Sequence, residues 1–204
     1  MTEWDTFLSA VVRPTVYAEP VTEFHNRLAS DMVARIRART TLPPAPRVFD
    51  LGCGPGPALA TMHEAGWRVQ GLAASAEDVA TFRAAGGHAD LGEMHTSPIP
   101  PADLYWCRHV LEHSPAPLFV LWRLRQAAPD GAWLYVEVPC PDTPAAHQTN
   151  PNHFGVLTPS GWREAVTRAG WRLTWEQPIG LSDGPRWDRY HALLATTTER
   201  TPNA

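Results

Sequence analysis

After position 46, short apolar runs alternate with longer amphipathic stretches. The apolar runs are typical of buried strands, because they are short and bounded by turn residues. Alternating strands and helices predict a mainly parallel sheet with helices on both faces. We expect strands at 47–51 (RVFDL), 67–72 (WRVQGL), 103–107 (DLYWC) and 132–139 (AWLYVEVP), a brief strand near His88, and helices at 57–65, 76–85 and 117–127.

The last third of the chain adds one more predicted helix and two strand-like runs. The helix is expected at 158–168, where Thr158 or Ser160 can cap its first turn. The strand-like runs at 172–175 and 190–197 can close the sheet as a hairpin. With these runs the predicted fold is α/β, with a doubly wound, mainly parallel sheet of seven strands.

The chain before the first strand is predicted to be helical with one break. From residue 22 to 39, Leu28, Met32, Val33 and Ile36 recur near one helical stripe, and a proline-rich segment then ends the helix. We therefore expect an N-terminal helical cap over residues 1–43, followed by a single globular domain over residues 44–200.

Composition narrows the class of protein and its partners. The 204 residues carry a formal net charge of −4, which provides no general field for attracting nucleic acid or an anionic membrane. The three cysteines are widely spaced and odd in number, so they predict neither a disulfide framework nor a zinc site. No apolar stretch reaches membrane-spanning length and no secretory signal is evident, so we expect a cytoplasmic protein.

A glycine-rich turn follows the first predicted strand and leads into the first helix. Its sequence is Asp50-Leu-Gly52-Cys-Gly54-Pro-Gly56. Glycines allow a tight turn and let the backbone approach a ligand where a side chain would collide. Ligands bind in the crevice at the carboxyl ends of the strands in doubly wound sheets, so the turn predicts a nucleotide-type site.

The segment Val48 to Gly56 (VFDLGCGPG) resembles the first motif of class I S-adenosylmethionine-dependent methyltransferases. Further segments resemble later parts of that family, so the likeness covers roughly residues 45–175. These segments are HADL near the adenine, DLYWC at the fourth strand, HVLEH after it, PDGAWL before the fifth strand and WREAVTRAGW in the late helix. The resemblance implies a Rossmann-like fold and S-adenosylmethionine as cofactor, held by Asp50, Gly52, Gly54, Gly56, Asp90 and Leu91.

One position departs from that family pattern. Family members usually carry Asp or Glu at the end of the second strand, where it accepts hydrogen bonds from the ribose hydroxyls, but this chain has Ala73. Loss of such a carboxylate costs about 1.5–3 kcal/mol of binding. Ser75 or Glu77 could reach the ribose instead, the cofactor could bind weakly, or the domain could have lost the cofactor.

A group of histidines is expected at the same crevice, and its chemistry can be interpreted in three ways. The pattern His109-x-x-Glu112-His113, with a later His153, resembles the E-x-x-E-H…H metal set of small-RNA 2′-O-methyltransferases. With His109 in place of the first Glu, the set favours a softer divalent ion over magnesium. Alternatively, His109, His113 or His153 acts as a general base. The Leu-Glu-His turn also occurs in family members without metal, where the His caps or packs.

Two hypotheses about function follow. The first is a methyltransferase that acts on an oxygen or nitrogen of a small-molecule acceptor, such as a sugar or a natural product. The second is a catalytically inactive methyltransferase-like subunit that stabilises or completes a partner enzyme in a biosynthetic pathway. A protein partner or a homo-oligomer is compatible with either one. An RNA methyltransferase ranks third, because the acidic balance argues against nucleic acid as a partner.

Overall fold

The computed structural model describes residues 2–13, 23–183 and 186–197. Its helices are α1 (Glu3–Phe7), which continues as a π-helical turn (Leu8–Val12), α2 (Glu23–Arg39), α3 (Leu59–Glu64), α4 (Ala76–Ala84), α5 (Pro117–Ala127) and α6 (Pro159–Arg168). Its strands are β1 (Arg47–Leu51), β2 (Arg68–Ala73), β3 (His88–Leu91), β4 (Leu104–Arg108), β5 (Trp133–Pro139), β6 (Trp171–Asp183) and β7 (Arg186–Thr197).

The strands form one sheet of seven in the order β3-β2-β1-β4-β5-β7-β6. Strands β1 to β5 pair in parallel, whereas β7 runs antiparallel to both β5 and β6. The order reverses between β1 and β4, and such a point opens a crevice at the carboxyl ends of the strands. The predicted seven-stranded, mainly parallel α/β fold is confirmed.

The final hairpin is longer than the sequence pattern indicated. Strands were expected at 172–175 and 190–197, but β6 has 13 residues and β7 has 12. From 171 to 180, buried or half-buried positions of β6 alternate with exposed ones, and Pro178 and Gly180 interrupt the pattern typical of a strand. Hydropathy alone does not mark such a strand, because pairing in a ladder, rather than burial, holds it in place.

Each face of the sheet carries its own apolar core. Along β4, Tyr105 and Cys107 pack into the core under α5 and α6, whereas Leu104 and Trp106 pack into the core on the opposite face. This alternation follows from the two-residue period of a strand. Helix α2 closes the second core with Ala29, Met32, Val33 and Ile36.

The N-terminal segment also packs against the domain. Thr2 and Asp5 form a capping box at α1, and Leu8 and Val12 are buried. Parts of the predicted cap (14–22) and of the predicted domain's end (198–200) lie outside the described residues. Within the described ranges, the helices are all too short or too polar to cross a bilayer.

Candidate active site

A cavity of about 600 Å³ opens at the carboxyl ends of β1, β2 and β4. Its floor is the glycine turn, with Gly52 and Gly54 in the lining. One side is formed by the end of β2 and the start of α4, and the opposite side by residues that follow β4. The cavity therefore occupies the crevice that the reversal of strand order creates.

The glycine turn needs its glycines. Gly52 has φ +69°, and a Cβ there would lie 2.4 Å from Val110 Cγ2. At Gly54, with φ +50°, a Cβ would meet no protein atom within 4 Å. The turn is pinned to β2, because the Gly52 and Cys53 amides both donate to the Leu72 carbonyl, at 2.8 and 3.1 Å. The turn thereby presents a fixed backbone to the cavity, with no side chain at Gly52 and Gly54.

Asp50 lies beneath this turn rather than in the cavity lining, and only 5% of it is exposed. Burial raises the pKa of its carboxyl to about 8, although the nearby charge of Arg108 lowers it. The Asp50 carboxyl is therefore mostly protonated at neutral pH unless a ligand brings a positive charge close to it.

At the end of β2, the missing acid leaves Ala73 buried in the cavity lining. Of the two candidate replacements for the acid, one lines the cavity and the other does not. Ser75 lines the cavity and also caps α4 by accepting a hydrogen bond from the Asp78 amide, whereas Glu77 is exposed and lies outside the lining. Asp78 is half-buried and does line the cavity, so a carboxylate is available one residue beyond Glu77.

The segment after β3 forms the next part of the wall. Leu91 lines the cavity and is followed there by Gly92, Glu93 and Met94. Asp90 is exposed and lies outside the lining, where its Oδ2 accepts a hydrogen bond from Gln70 Nε2 at 3.0 Å. The structure thus brings Leu91, but not Asp90, to the cavity.

The N-terminal segment supplies the roof of the cavity. Leu8, Val12 and Arg13 line it, and Arg13 forms an ion pair with Glu93. Trp4 packs edge-on against His95, with ring centroids 5.5 Å apart. Burial lowers the pKa of His95 to about 4, so this imidazole is neutral at physiological pH and packs as an aromatic ring.

Arg108 at the end of β4, His109 directly after it and Glu137 of β5 form a network next to the cavity. Glu137 Oε1 lies 2.9 Å from His109 Nε2 and 2.9 Å from Arg108 Nε. Burial raises the pKa of Glu137, but the hydrogen bond and charge of His109, the charge of Arg108 and the Tyr135 hydroxyl together lower it to about 2. Glu137 is therefore a permanent anion beneath His109.

His109 is held in an unusual backbone conformation. Its φ is +51°, in the left-handed region that residues other than glycine rarely adopt. Its amide donates to the Glu137 carbonyl at 2.9 Å. Its ring lies edge-on to Tyr190 of β7, with centroids 4.5 Å apart. His109 and Tyr190 both line the cavity.

The predicted metal set is only partly brought together. Glu112, His113 and His153 each offer one ligand atom, and these atoms all lie within 4.8 Å of one another. His109 is not part of this group. Its Nδ1 lies 3.8 Å from Glu112 Oε1, but its Nε2 is engaged by Glu137. His113 Nδ1 donates to the Asn152 carbonyl at 2.9 Å, and His153 Nδ1 donates to the His147 carbonyl at 3.1 Å.

A family model described as a methyltransferase domain matches residues 21–176. The chain belongs to the methyltransferase domain family. The class I methyltransferase resemblance and the Rossmann-like fold expected from the glycine motif are thereby confirmed. Among curated proteins, none is similar enough in sequence to match.

Solved structures share the fold of this methyltransferase at low sequence identity. A putative methyltransferase from Bacillus halodurans has a TM-score of 0.68 and 13% identity, covering 82% of this chain and 100% of its own. An S-adenosylmethionine-dependent methyltransferase from Mesorhizobium loti has a TM-score of 0.67 and 18% identity, and the match covers 84% of this chain and 99% of the other. A chain from the complex between the Haloferax volcanii Trm112 methyltransferase activator and a putative methyltransferase has a TM-score of 0.70 and 17% identity. That match covers 87% of this chain and 99% of the other.

The structure of this methyltransferase also shows cavity and network residues that the sequence analysis missed. Asp78, Arg108 and Tyr190 line the cavity, and Glu137 lies under His109. A signal existed for two of them. Arg108 ends an apolar strand, and Glu137 interrupts the apolar run AWLYVEVP; a charge at a fully buried strand position needs a partner.

Proposed function

We propose that this methyltransferase uses S-adenosylmethionine to methylate an oxygen or nitrogen of a small-molecule acceptor, such as a sugar or a natural product. The observation that carries the proposal is a single cavity lined by both the glycine turn and His109, whose ring is hydrogen-bonded to Glu137. The glycine turn suits binding of the cofactor, and the His109–Glu137 pair suits an acceptor that must lose a proton.

The residues present fit the cofactor. The glycine turn offers open backbone at Gly54, where no protein atom would meet a Cβ within 4 Å. Ser75 and Asp78 offer polar atoms to the ribose hydroxyls, and Leu91 offers an apolar surface to the adenine. When bound, S-adenosylmethionine supplies an activated methyl group on its sulfonium, which no side chain provides.

The role of His109 follows from its contacts. With Nε2–H donated to the Glu137 carboxylate, Nδ1 carries the lone pair of the neutral ring. We assign His109 as the general base that takes the acceptor's proton and Glu137 as the positioning residue that fixes the tautomer and stabilises the imidazolium. The roof residues Leu8 and Val12 exclude water from the transfer.

A divalent metal is a second element of the proposal. Glu112, His113 and His153 offer one oxygen and two nitrogens, a three-ligand set typical of an open catalytic site for zinc or a similar ion. Both imidazoles have Nδ1 anchored on a backbone carbonyl, the outer arrangement that orients metal-ligating histidines through Nε2. Asn150 Nδ2, 3.4 Å from His153 Nε2, competes for that nitrogen.

We favour catalysis over the alternative of an inactive, partner-stabilising subunit. That alternative was motivated by Ala73, and Asp78 in the cavity lining offers a carboxylate in compensation. A protein partner or a second copy is still compatible with catalysis, since Leu118, Phe119 and Trp122 form an exposed apolar patch on α5.

Compartment and domain organisation are further parts of the proposal. Cys53, Cys107 and Cys140 are all buried and unbridged, which suits a reducing compartment such as the cytoplasm. We propose that residues 1–43 serve as a cap on a domain over residues 44–200, because Leu8 and Val12 roof the cavity.

The first experiment is calorimetric titration of the full chain with S-adenosylmethionine, followed by transfer assays with a radiolabelled methyl donor on panels of sugar, phenol and amine acceptors. Micromolar binding with label transfer to one panel supports the proposal. A folded protein that binds neither S-adenosylmethionine nor S-adenosylhomocysteine contradicts it and favours the partner-stabilising alternative.

A further inference from the structure

Arg108 is the last residue of β4 and lies inside the protein. Only 6% of its side chain is exposed, yet the residue lines the cavity. Its Nη2 atom is buried and makes no hydrogen bond, and its Nε is ion-paired with Glu137 without a well-directed hydrogen bond. Guanidinium donors out of water without acceptors are costly, and in native structures they normally have a partner.

The charges around Arg108 do not match it. Its Nε lies 2.9 Å from Glu137 Oε1, but the Glu137 carboxylate also accepts hydrogen bonds from His109 and Tyr135. Asp50 is a second acid close enough to interact with its charge, and burial raises the pKa of Asp50 to about 8. At neutral pH, one carboxylate is therefore shared among Arg108, His109 and a hydroxyl.

We propose that Arg108 receives a carboxylate group of a ligand bound in the cavity. A planar guanidinium can bind the two oxygens of a carboxylate through two parallel N–H donors. A phosphate dianion suits the site less well, because it would add two negative charges beside the Glu137 anion, whereas a carboxylate adds one.

The carboxylate can come from two sources: the amino-acid end of the cofactor, or the acceptor. The first source places Arg108 in cofactor binding, and the second restricts the acceptors to carboxylic acids. Only the second source rests on the proposed methyl transfer. Both predict the same result. The wild type binds a ligand with the carboxylate more tightly than the analogue without it, and this preference disappears when the guanidinium is removed.

The test is calorimetric titration of the full-length wild type and the R108Q variant with two pairs of probes. The cofactor pair is S-adenosylhomocysteine and S-adenosyl-3-thiopropylamine, which differ only by the carboxylate. The acceptor pair is benzoate and benzamide, titrated both with and without saturating S-adenosylhomocysteine. Inorganic phosphate is titrated as the competing anion. R163Q is the control, because Arg163 pairs with Glu176 outside the cavity.

The expected result is that R108Q loses about tenfold or more of the affinity for the carboxylate member of one pair and little for the other member. The affected pair identifies the source. Equal affinities in wild type and R108Q for every probe overturn the inference, as does a preference for phosphate. If wild type binds no S-adenosylhomocysteine, the proposed function fails, whereas the benzoate and benzamide titrations still decide on Arg108.

Removing Arg108 leaves Glu137 with fewer partners, so R108Q could unfold. R108K covers that case because it keeps the charge beside Glu137 and loses the two-pronged donor geometry. R108K is expected to retain a thermal unfolding transition and to lose part of the discrimination. A folded R108K with unchanged discrimination for both pairs overturns the inference.

Discussion

Glu137 holds His109 twice: its carbonyl accepts the His109 amide at 2.9 Å, and its carboxylate accepts the His109 ring Nε2 at 2.9 Å. One residue of β5 thereby fixes both the strained backbone and the ring orientation of a residue that follows β4. Strain of this kind persists only where surrounding contacts enforce it, and it is frequent at active sites.

The first prediction concerns this pair. H109Q should lower kcat by roughly 10²–10⁴-fold, because the proton acceptor is lost, while cofactor affinity changes little. E137Q should lower kcat less and should move the base limb of the pH–rate profile to lower pH, because the imidazolium loses its anionic partner. Steady-state kinetics between pH 5 and 9 and cofactor titrations measure these effects.

A matched control exists for the pair. Glu176 Oε2 lies 3.2 Å from His191 Nε2, and neither residue lines the cavity. E176Q should therefore leave kcat and the pH profile unchanged. If H109Q keeps wild-type turnover, His109 is not the general base, and His113 becomes the next candidate.

The second prediction concerns the ribose side of the cavity. D78N should weaken S-adenosylmethionine binding by roughly tenfold, because a charged acceptor of ribose hydroxyl hydrogen bonds is replaced by a neutral one. E77Q serves as the control, since Glu77 is exposed and outside the cavity lining. Equal dissociation constants for wild type and D78N would show that Asp78 does not compensate for Ala73.

The third prediction concerns the buried Asp50. Burial raises its pKa from 3.8 to about 8, so the folded state binds more protons than the unfolded state between those values. The stabilising contribution of the protonated form is complete below pH 3.8 and is lost as the pH rises to about 8. Wild type should lose on the order of 1 kcal/mol of unfolding free energy per pH unit through this window, relative to D50N.

Urea unfolding at pH 5, 6, 7 and 8 measures this difference. D50N should be the more stable protein at pH 8 and should bind S-adenosylmethionine more weakly, because the resemblance assigns Asp50 to the cofactor's amino group. Parallel stability profiles for wild type and D50N would mean that the Asp50 carboxyl is ionised in the folded protein.

The fourth prediction concerns the metal set. Zinc or manganese should bind the wild type with a measurable rise in melting temperature, and H153A should lose that rise because one of three ligands is removed. H63A is the control, since His63 is exposed on α3. Full activity after chelation, with no metal-dependent change in melting temperature, would leave His109 as the base without a metal.

The sequence predicted the glycine turn and the fold because their signals are local. Strand, turn and helix are contiguous at Asp50 to Gly56, and the apolar runs mark every strand that is buried in a core. The outer half of the β6–β7 hairpin contains Pro178, Gly180 and several charged residues, so its extent was missed. Hydrogen bonding between two strands has no equivalent pattern in a single stretch of sequence.

The acceptor side of the cavity was harder to predict because it is assembled over long separations. His109 and Glu137 are 28 positions apart and meet only because β4 and β5 pair in a specific register, with Arg108 opposite Glu137. The sequence pattern grouped His109 with Glu112 by spacing, whereas the left-handed turn directs His109 to Glu137. Asp78 was missed because acids in a first helical turn are common for reasons of capping and dipole.

The strand order has a consequence for synthesis of the chain. Among the described strands, β7 leaves the ribosome after all the others, yet it lies inside the sheet between β5 and β6. A nascent chain can pair β1 to β5 early, but β5 keeps an open edge, and β6 has no neighbour, until β7 inserts. That strand also brings Tyr190, which packs against His109, and Asp188, which is hydrogen-bonded to His147. A premature stop before residue 186 therefore removes Tyr190 from the cavity lining and leaves an aggregation-prone strand edge.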